Sequence, residues 1–299
     1  MAKKNILIVG GTGFIGKHLI KKLAKSNSYK IHCISRTIAK NKIKNVKYIQ
    51  LNIKEKSIFK KISNYNYSYV VNAAGYINHK NHGEEHILGL KNLIGFFKNK
   101  PIKRFIQLGS STEYGLQKAP QKESGHNKKN LKSNYANNKF LATKVSLKAW
   151  TEDQFPVVVA RLFIAYGPEQ KFDRLIPSAI NTFLKNKNFN CSSGTQIRDF
   201  VYIDDVISLL IKMIFSRKKI EGKIFNIGRG KPITVKKIIN EIRIQCKAGT
   251  PIFNKISIRK DEPKELYADL KKTKLFFDWI PKIDIKRGLK KTINFYKKK

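Results

Sequence analysis

The 299-residue chain is poor in cysteine and in acidic residues, and it has no long apolar run. Its three cysteines, Cys33, Cys191 and Cys246, form neither a disulfide framework nor a zinc-binding spacing. No apolar run approaches the length of a membrane span, and the first residues do not resemble a signal peptide. These absences argue against a disulfide-stapled secreted domain and a membrane-spanning protein. They predict a cytoplasmic protein.

Basic residues greatly outnumber acidic ones, with 62 Lys and Arg against 20 Asp and Glu and a formal net charge of +42. A charge of this size is one feature of nucleic-acid-binding proteins. Here, however, the lysines are spread over the whole chain and no nucleic-acid-binding motif accompanies them. We therefore interpret the charge as a lysine-rich solvated surface that attracts a multiply negative small substrate. A specific nucleic-acid partner is not expected, although nucleic-acid binding remains the alternative.

The most informative stretch lies near the N-terminus, where regularly spaced glycines follow an apolar run. Residues 5–9 read Asn-Ile-Leu-Ile-Val, which is typical of a buried parallel strand, and the residues after the glycines have helical periodicity. In such a strand–turn–helix unit, glycines allow a tight turn and a close approach to a pyrophosphate, and the helix N-terminus offers free N–H groups. A glycine turn without a ligand is the alternative. The stretch therefore predicts a dinucleotide site that contains Gly10, Gly13, Phe14, Ile15 and Gly16.

Short apolar runs alternate with helical patterns through the first half of the chain. Strands are predicted near 30–36, 46–51, 68–75, 103–109 and 155–163, with helices over 84–98 and 133–150. This alternation predicts an α/β fold: a Rossmann doubly wound parallel sheet with a smaller C-terminal α/β substrate-binding lobe. The elements become shorter after about residue 165, where strands are predicted at 198–203 and 223–227 and helices near 205–215, 235–245 and 285–296. We place the cofactor domain at 1–165, with later returns around 195–220, and the substrate lobe mainly at 166–299.

Residues at three further strand ends are predicted to complete the cofactor site. A site for NAD usually has an acid about twenty residues past the glycines, which binds the ribose 2′-hydroxyl. That position falls here on Arg36, which follows Ser35. A guanidinium and hydroxyls suit a 2′-phosphate, so NADP(H) is favoured and NAD(H) remains possible. The other candidate cofactor residues are Asn52, near the adenine, and Ala73, Ala74 and Gly75, which leave room for the ribose and pyrophosphate.

Tyr135 and Lys139 are four residues apart in a predicted helix, and hence on one face. A tyrosine is a weak base near neutral pH, but an ammonium one turn away and a positive nicotinamide ring favour the phenolate and lower the tyrosine pKa. Tyr135 could then exchange a proton with a sugar hydroxyl while hydride leaves or joins the same carbon. Ser110, at the end of a predicted strand, would provide a second hydrogen bond to that oxygen. A surface Tyr–Lys pair is the alternative.

These motifs together resemble the extended short-chain dehydrogenase/reductases, in the branch of sugar-nucleotide epimerases, dehydratases and reductases. The resemblance extends almost from end to end and includes residues 110–115, 161–168, 198–205, 225–228 and 267–269. It implies a Rossmann domain, a C-terminal lobe that holds a nucleoside-diphosphate sugar, and a homodimer. It also implies that Ser110, Tyr135 and Lys139 are catalytic. Tyr135 and Lys139 would also contact the cofactor, Lys139 at the nicotinamide ribose, and Arg198 and Arg259 would bind the substrate diphosphate.

Several positions depart from the family pattern. The dehydratases have Asp-Glu after the catalytic hydroxyl, where this chain has Ser111 and Thr112. We therefore do not expect 4,6-dehydration. Glu113 is one position away from the dehydratase Glu and should point elsewhere. Ile164 stands where the family often has an Asn that touches the substrate. We assign Ser111, Thr112 and Ile164 to the substrate-binding residues. His79, His82 and His86 are close together in the sequence, but their spacing with the neighbouring carboxylates is not that of a known metal site. We therefore expect no metal site.

The sequence favours an NADP(H)-linked reductase of a 4-keto nucleotide sugar, in which Tyr135 protonates the carbonyl oxygen. The alternative is a nucleotide-sugar 4-epimerase, similar to UDP-glucose 4-epimerase, that keeps NAD tightly bound. A dinucleotide-binding protein without catalytic activity is a third hypothesis. The presence of Ser110, Tyr135 and Lys139 argues against it.

Overall fold

The computed structural model describes residues 3–37, 39, 41–75, 84–124, 131, 133–258 and 262–298. Its strands, numbered in chain order, are Lys4–Val9 (β1), Tyr29–Ser35 (β2), Val46–Gln50 (β3), Tyr67–Asn72 (β4), Arg104–Ser110 (β5), Val157–Leu162 (β6), Ile164–Tyr166 (β7), Asn188–Asn190 (β8), Ile197–Arg198 (β9), Phe200–Tyr202 (β10), Ile224–Ile227 (β11), Ile233–Thr234 (β12), Thr250–Ile252 (β13) and Glu265–Leu266 (β14).

Several α-helices begin at a polar residue that caps their first turn. Ser133, Thr234 and Asp284 each accept a hydrogen bond from a backbone N–H three residues on, which satisfies one of the free donors of the helix. In the described residues, we find no helix whose length and apolar character would suffice to cross a membrane. The helices are Phe14–Leu23 (α1), Glu84–Phe97 (α2), Asn134–Asp153 (α3), Leu175–Leu184 (α4), Ile203–Ile214 (α5), Val235–Cys246 (α6), Lys271–Phe277 (α7) and Ile285–Lys297 (α8).

Seven strands form a sheet in the order β11-β6-β5-β4-β1-β2-β3. β1 pairs in parallel with β2 and with β4, β2 with β3, and β4 with β5. The chain moves outward from β1 to β3 and then returns to the other side of β1, so the strand order reverses between β1 and β4. The predicted Rossmann doubly wound sheet is confirmed. Sheets of this kind bind ligands at the carboxyl ends of the strands, beside such a reversal.

The apolar run that predicted β1 is explained by its burial. Ile6, Leu7 and Ile8 have no exposed surface, because a central parallel strand is covered on both faces. A core cluster beside the sheet includes Leu7 together with Leu90 of α2 and Phe105 of β5. This packing fixes the ends of the strands, from which the candidate site is built.

The chain divides into two compact units. Unit 1 consists of Met1–Glu113, Ser133–Arg161 and Ile207–Phe225, and unit 2 consists of Tyr114–Lys132, Leu162–Val206 and Asn226–Lys299. The predicted domain boundary at 165/166 and the return around 195–220 stay predictions; in this division the chain leaves unit 1 after Arg161 and returns to it at Ile207–Phe225. Residues 114–132 fall in unit 2, where the Gln121 N–H donates to the Tyr267 carbonyl (2.9 Å) and the Asp269 N–H donates to the Gln121 carbonyl (3.0 Å). Such pairing between distant segments leaves no local sequence signal.

His32 of β2 gives the fold a predicted pH dependence. It is buried beside Tyr67, whose hydroxyl lies 2.7 Å from the His32 Nδ1. Burial, followed by the charges of Lys47 and Lys30, lowers the pKa of His32 from 6.5 to about 4. Below pH 6.5 the unfolded chain therefore takes up a proton that the folded chain does not bind until about pH 4. We expect protonation of His32 in the unfolded chain to lower the free energy of unfolding by roughly 2–3 kcal/mol as the pH falls from 6.5 to about 4.

Urea unfolding at a series of pH values would measure this effect. His32→Gln cannot titrate, so its unfolding free energy should fall less than that of the wild type between pH 6.5 and 4. Parallel curves for the two proteins would contradict the prediction.

Candidate cofactor and active site

The loop after β1 is shaped by Gly10. Its φ is +75°, in the left-handed region that favours glycine, and a Cβ there would lie 2.7 Å from the backbone of Ala74. The Gly10 N–H donates to the Ile34 carbonyl (2.8 Å), and the Gly13 N–H donates to the Gly10 carbonyl (3.0 Å). The turn is therefore tight and lies against the ends of β2 and β4.

The other two glycines of the motif have different surroundings. A Cβ on Gly16 would lie 2.5 Å from the Gly10 carbonyl oxygen and 2.7 Å from the Gly11 Cα, so Gly16 lets α1 pack on the loop. A Cβ on Gly13 would meet only the Gly10 oxygen, at 3.2 Å, and otherwise open space. Gly13 is also the N-cap of α1 and has no side chain to cap it. The free N–H groups and the positive helix end therefore fit a pyrophosphate.

The end of β2 lies next to this loop, since Ile34 accepts the Gly10 hydrogen bond. Ser35 is the last residue of β2, and its hydroxyl donates to the Thr37 carbonyl at 2.5 Å. Arg36 is exposed, and its carbonyl accepts from the Gln50 side chain at 3.0 Å. The turn thus has a cation and no carboxylate at the position that would bind the ribose of a coenzyme.

The ends of β3 and β4 have small or amide side chains. Asn52 shapes the turn after β3, because its Nδ2 donates to Glu55 (2.9 Å) and its Oδ1 accepts from the Lys54 N–H (3.3 Å). Its contact with adenine stays a prediction. After β4, the Ala73 N–H donates to the Val9 carbonyl at 2.9 Å, which holds the small residues 73–75 beside the end of β1.

The predicted catalytic residues come from β5 and α3. Tyr135 and Lys139 are both 7% exposed and lie one turn apart near the start of α3, whose N-cap is Ser133. The Lys139 ammonium donates to the Leu108 carbonyl of β5 at 3.1 Å. Ser110 is the last residue of that strand. Lys139 therefore links the helix that carries Tyr135 to the strand that ends in Ser110.

Two local effects act on these groups. Burial lowers the pKa of the Lys139 ammonium, and the negative charge of Glu113 opposes that change. The Ser110 hydroxyl oxygen accepts from the Thr112 N–H (3.3 Å) and the Thr112 hydroxyl (2.9 Å). Because Ser110 acts as acceptor in both bonds, its own hydrogen can be donated to a substrate oxygen. Thr112 therefore supports Ser110, and its predicted substrate contact stays a prediction, as does that of the buried Ser111.

A buried ion pair beside Ser110 is not part of the predicted site. Glu113 and Arg161 have no exposed surface, and the Arg161 Nη2 donates to the Glu113 carboxylate at 2.8 Å. The same carboxylate accepts from the Ser110 N–H (2.6 Å) and from the Thr143 hydroxyl (2.7 Å). The signal available in the sequence was an arginine within the apolar run that became β6.

In unit 2, Ile164 and Arg198 lie on neighbouring segments. Ile164 is 36% exposed, and its N–H donates to the carbonyl of Asp199, which follows Arg198. The Arg198 guanidinium is buried and donates to the Glu262 carboxylate at 2.6 Å. Its diphosphate contact stays a prediction. Arg259, His79 and His82 lie outside the described residues, as does the side chain of His86.

Two cavities differ in their relation to the sheet. One of about 470 Å³ is lined by Lys4, Tyr29 and Arg104, at the amino ends of β1, β2 and β5. This is the edge opposite to the one at which doubly wound sheets bind their ligands. The second, of about 210 Å³, lies in unit 2 and is lined in part by Phe189 and Glu262. The larger cavity is therefore not the candidate site, because it lies at the wrong edge of the sheet.

A glycine turn that opens a helix beside a reversal of strand order defines a dinucleotide-binding protein of the Rossmann type. Residues 6–228 match the sequence pattern of the NAD dependent epimerase/dehydratase family. The chain belongs to this family of enzymes. The predicted family is therefore confirmed, and nicotinamide dinucleotide is the cofactor of the family.

Individual relatives are distant. The chain is 28% identical over 276 residues to the dTDP-D-glucose 4,6-dehydratase of Dictyostelium discoideum and 32% identical over 223 residues to the UDP-glucuronate 4-epimerase of Thermodesulfobacterium geofontis. These alignments cover 79% and 72% of this chain but 62% and 65% of the relatives. A putative UDP-glucose 4-epimerase of Methanocaldococcus jannaschii is 27% identical, with 98% of each chain covered.

A solved epimerase of Methanothermobacter thermautotrophicus has the same fold. It superposes with a TM-score of 0.91 at 21% identity, over 99% of this chain and 93% of that one.

Proposed function

We propose that this protein transfers hydride at C4 of a nucleoside-diphosphate sugar and that its reaction is the reduction of a 4-keto sugar. One observation carries the proposal. Tyr135 and Lys139 lie one turn apart on the buried face of α3, and Lys139 is bonded to the strand that ends in Ser110. This arrangement, in a chain of this family, supports an acid/base tyrosine with a cation and a hydroxyl beside it.

The glycine turn, the start of α1 and Arg36 would hold the coenzyme. When bound, NAD(P) supplies hydride to the sugar carbon or accepts it. Tyr135 gives a proton to the carbonyl oxygen in reduction and takes one in oxidation. Ser110 donates a hydrogen bond to the same oxygen, and the positive charge of Lys139 favours the phenolate form of Tyr135.

The surroundings of Ser110 argue against a dehydratase. Ser111 and Thr112 occupy the two positions after it, and neither is an acid at neutral pH. Glu113 is a carboxylate, but its oxygens are engaged by Arg161, Thr143 and the Ser110 N–H. The chain therefore lacks a free acid at this turn that could drive the loss of water.

A 4-epimerase is the second candidate. The observation that favours it is the match to the putative UDP-glucose 4-epimerase, which covers 98% of both chains. An epimerase would use the same Tyr135 chemistry twice, first to oxidise C4 and then to reduce it from the other face.

Unit 2 provides the candidate substrate residues. Arg198, together with Arg259, is proposed to bind the diphosphate, since guanidinium forks suit phosphate oxygens. Ile164 is proposed to face the sugar. Homodimerisation, a cytoplasmic location and a preference for NADP(H) are further proposals that rest on the sequence.

Turnover stoichiometry separates the two candidate reactions. Purified protein would be incubated with a panel of 4-keto and 4-hydroxy nucleotide sugars and with NADPH or NADH. Loss of one reduced coenzyme per product supports the reductase. Conversion of a 4-hydroxy sugar into its C4 epimer with no net change in coenzyme would support the epimerase and exclude the reductase.

Arg36 carries the proposed preference for NADP(H). Arg36→Ala should weaken NADPH binding about tenfold or more, because a charge-assisted hydrogen bond contributes about 1.5–3 kcal/mol. NADH binding should change little. Fluorescence titration with both coenzymes measures the effect, and Lys30→Ala, at the exposed amino end of β2, is the matched control. Equal weakening of both coenzymes by Arg36→Ala would contradict a 2′-phosphate contact.

A further inference from the structure

The Glu113 carboxylate joins three elements of unit 1. One oxygen accepts from the Ser110 N–H at 2.6 Å, at the end of β5. The other accepts from the Thr143 hydroxyl of α3 (2.7 Å) and from the Arg161 guanidinium of β6 (2.8 and 3.1 Å). Thr143 lies one turn beyond Lys139 on α3. The carboxylate thus connects the backbone of Ser110 to the helix that carries the proposed acid/base pair.

The environment of this carboxylate leaves it little freedom. Glu113 has no exposed surface, and a buried carboxylate is costly unless hydrogen bonds and an opposite charge compensate it. Four donors do so here. A Cβ on Gly109 would lie 2.6 Å from the Glu113 Oε1, so the strand also fits closely around it. Any displacement of Glu113 must therefore displace Ser110 or α3.

We propose that Glu113 is a positioning residue, whose carboxylate holds Ser110 in the orientation that the reaction requires relative to Tyr135 and Lys139. The inference deepens the proposed function and rests on it. Glu113 does not touch substrate; it acts through the Ser110 backbone and through α3. Catalysis is sensitive to such placement, because a shift of about 1 Å can cost about a hundredfold in rate.

A second ion pair, which is partly buried, offers a control of the same chemistry. Arg104 begins β5, and its Nε donates to the Glu221 carboxylate at 3.0 Å. Its Nη1 also donates to the carbonyls of Met213 (2.9 Å) and Ser216 (3.0 Å). This pair fixes the amino end of β5, far along the strand from Ser110. Its loss should therefore destabilise the fold without disturbing the proposed active groups.

The experiment compares Glu113→Gln, Glu113→Asp and Glu221→Gln in the full chain. Glu113→Gln should lower kcat by about 10- to 100-fold, while KM and coenzyme affinity stay within about threefold of the wild type. Glu221→Gln should lower the melting temperature by about as much as Glu113→Gln does, but it should keep kcat within about twofold of the wild type. Glu113→Asp, which keeps the charge, should recover part of the lost kcat. A kcat loss in Glu221→Gln that equals that of Glu113→Gln, or no loss in Glu113→Gln, would overturn the proposal.

A second variant and a second measurement keep the proposal testable if Glu113→Gln fails to fold or no substrate is found. If Glu113→Gln does not fold, Thr143→Val removes a single bond from the carboxylate and should still lower kcat several-fold. Amide hydrogen exchange at Ser110 reports the positioning directly: it should accelerate in Glu113→Gln and not in Glu221→Gln. If the wild type converts no nucleotide sugar, the proposed function fails, and the exchange at Ser110 then decides the positioning role alone. Unchanged exchange would overturn it.

Discussion

Replacing Tyr135 with phenylalanine should lower kcat about a thousandfold, within the range of about 10²- to 10⁴-fold that a positioned acid or base contributes. The substitution removes one hydroxyl from a side chain that is 7% exposed, so the helix and its packing should persist. Coenzyme affinity should fall far less than kcat, because the glycine loop and Arg36 are untouched. Steady-state kinetics with the substrate found by the stoichiometry experiment, together with a coenzyme titration, would measure both effects.

Tyr29→Phe is the matched control, since Tyr29 begins β2 at the amino edge of the sheet. It should retain wild-type kcat and coenzyme affinity. Unchanged turnover in Tyr135→Phe would exclude Tyr135 as the acid/base. A joint loss of turnover and coenzyme binding would instead indicate that the substitution had damaged the fold.

The electrostatics of unit 1 connect this prediction with the role of Glu113. In the proposed mechanism, Lys139 assists Tyr135 only while Lys139 is protonated, yet burial lowers the pKa of the Lys139 ammonium. The Glu113 carboxylate acts in the opposite direction and favours the charged form. In the proposed mechanism, the Glu113 carboxylate therefore has two means of supporting the same proton transfer, by its charge and by its bond to the Ser110 N–H.

The sheet could be predicted from the sequence because its strands are buried on both faces. Such strands are continuous apolar runs, as in residues 6–9 and 157–160, and each run lies next to a helical pattern. Apart from the run at 198–203, which contains β10, the short strands of unit 2 carry no such pattern. β9 has two residues and β8 has three, and they pair with β12, β14 and β13, which are distant in the chain. The helix α4 was also missed; Pro177 in its first turn resembles a breaker, although proline is tolerated there.

The same distinction applies to the candidate site. The glycine loop and the Tyr135–Lys139 pair depend on spacing within one turn or one helix, which a sequence shows directly. Glu113 and Arg161 are separated by 48 positions, and Arg198 and Glu262 by 64. Ion pairs of this kind form only after β5, β6 and the segments of unit 2 are placed. The bond from the Ser110 N–H to Glu113 spans only three residues, in the Ser-x-x-Glu spacing of a capping box, whereas the partners of Glu113 in α3 and β6 could not be predicted from spacing.

Alanine substitutions in the glycine loop should separate its structural role from its role in binding. Gly10→Ala should be the most damaging: the left-handed φ costs about 1–2 kcal/mol, and the 2.7 Å contact with Ala74 adds to it. Gly13→Ala meets only one atom, at 3.2 Å, so the free protein should unfold at nearly the wild-type temperature. If a pyrophosphate lies against Gly13, however, its added methyl group should weaken coenzyme binding by about a hundredfold, through the loss of backbone N–H contacts.

Gly95→Ala supplies the contrast, because a Cβ at this position of α2 would have nothing within 4 Å. Alanine is favoured over glycine within a helix by about 0.5–1 kcal/mol, so this variant should be slightly more stable than the wild type and bind coenzyme equally well. Thermal unfolding with and without coenzyme measures both quantities in all three variants. Stability and affinity should fall together in Gly10→Ala, and only affinity should fall in Gly13→Ala. Wild-type coenzyme affinity in Gly13→Ala would mean that the dinucleotide does not approach the start of α1, and the cofactor site would have to be sought elsewhere in the chain.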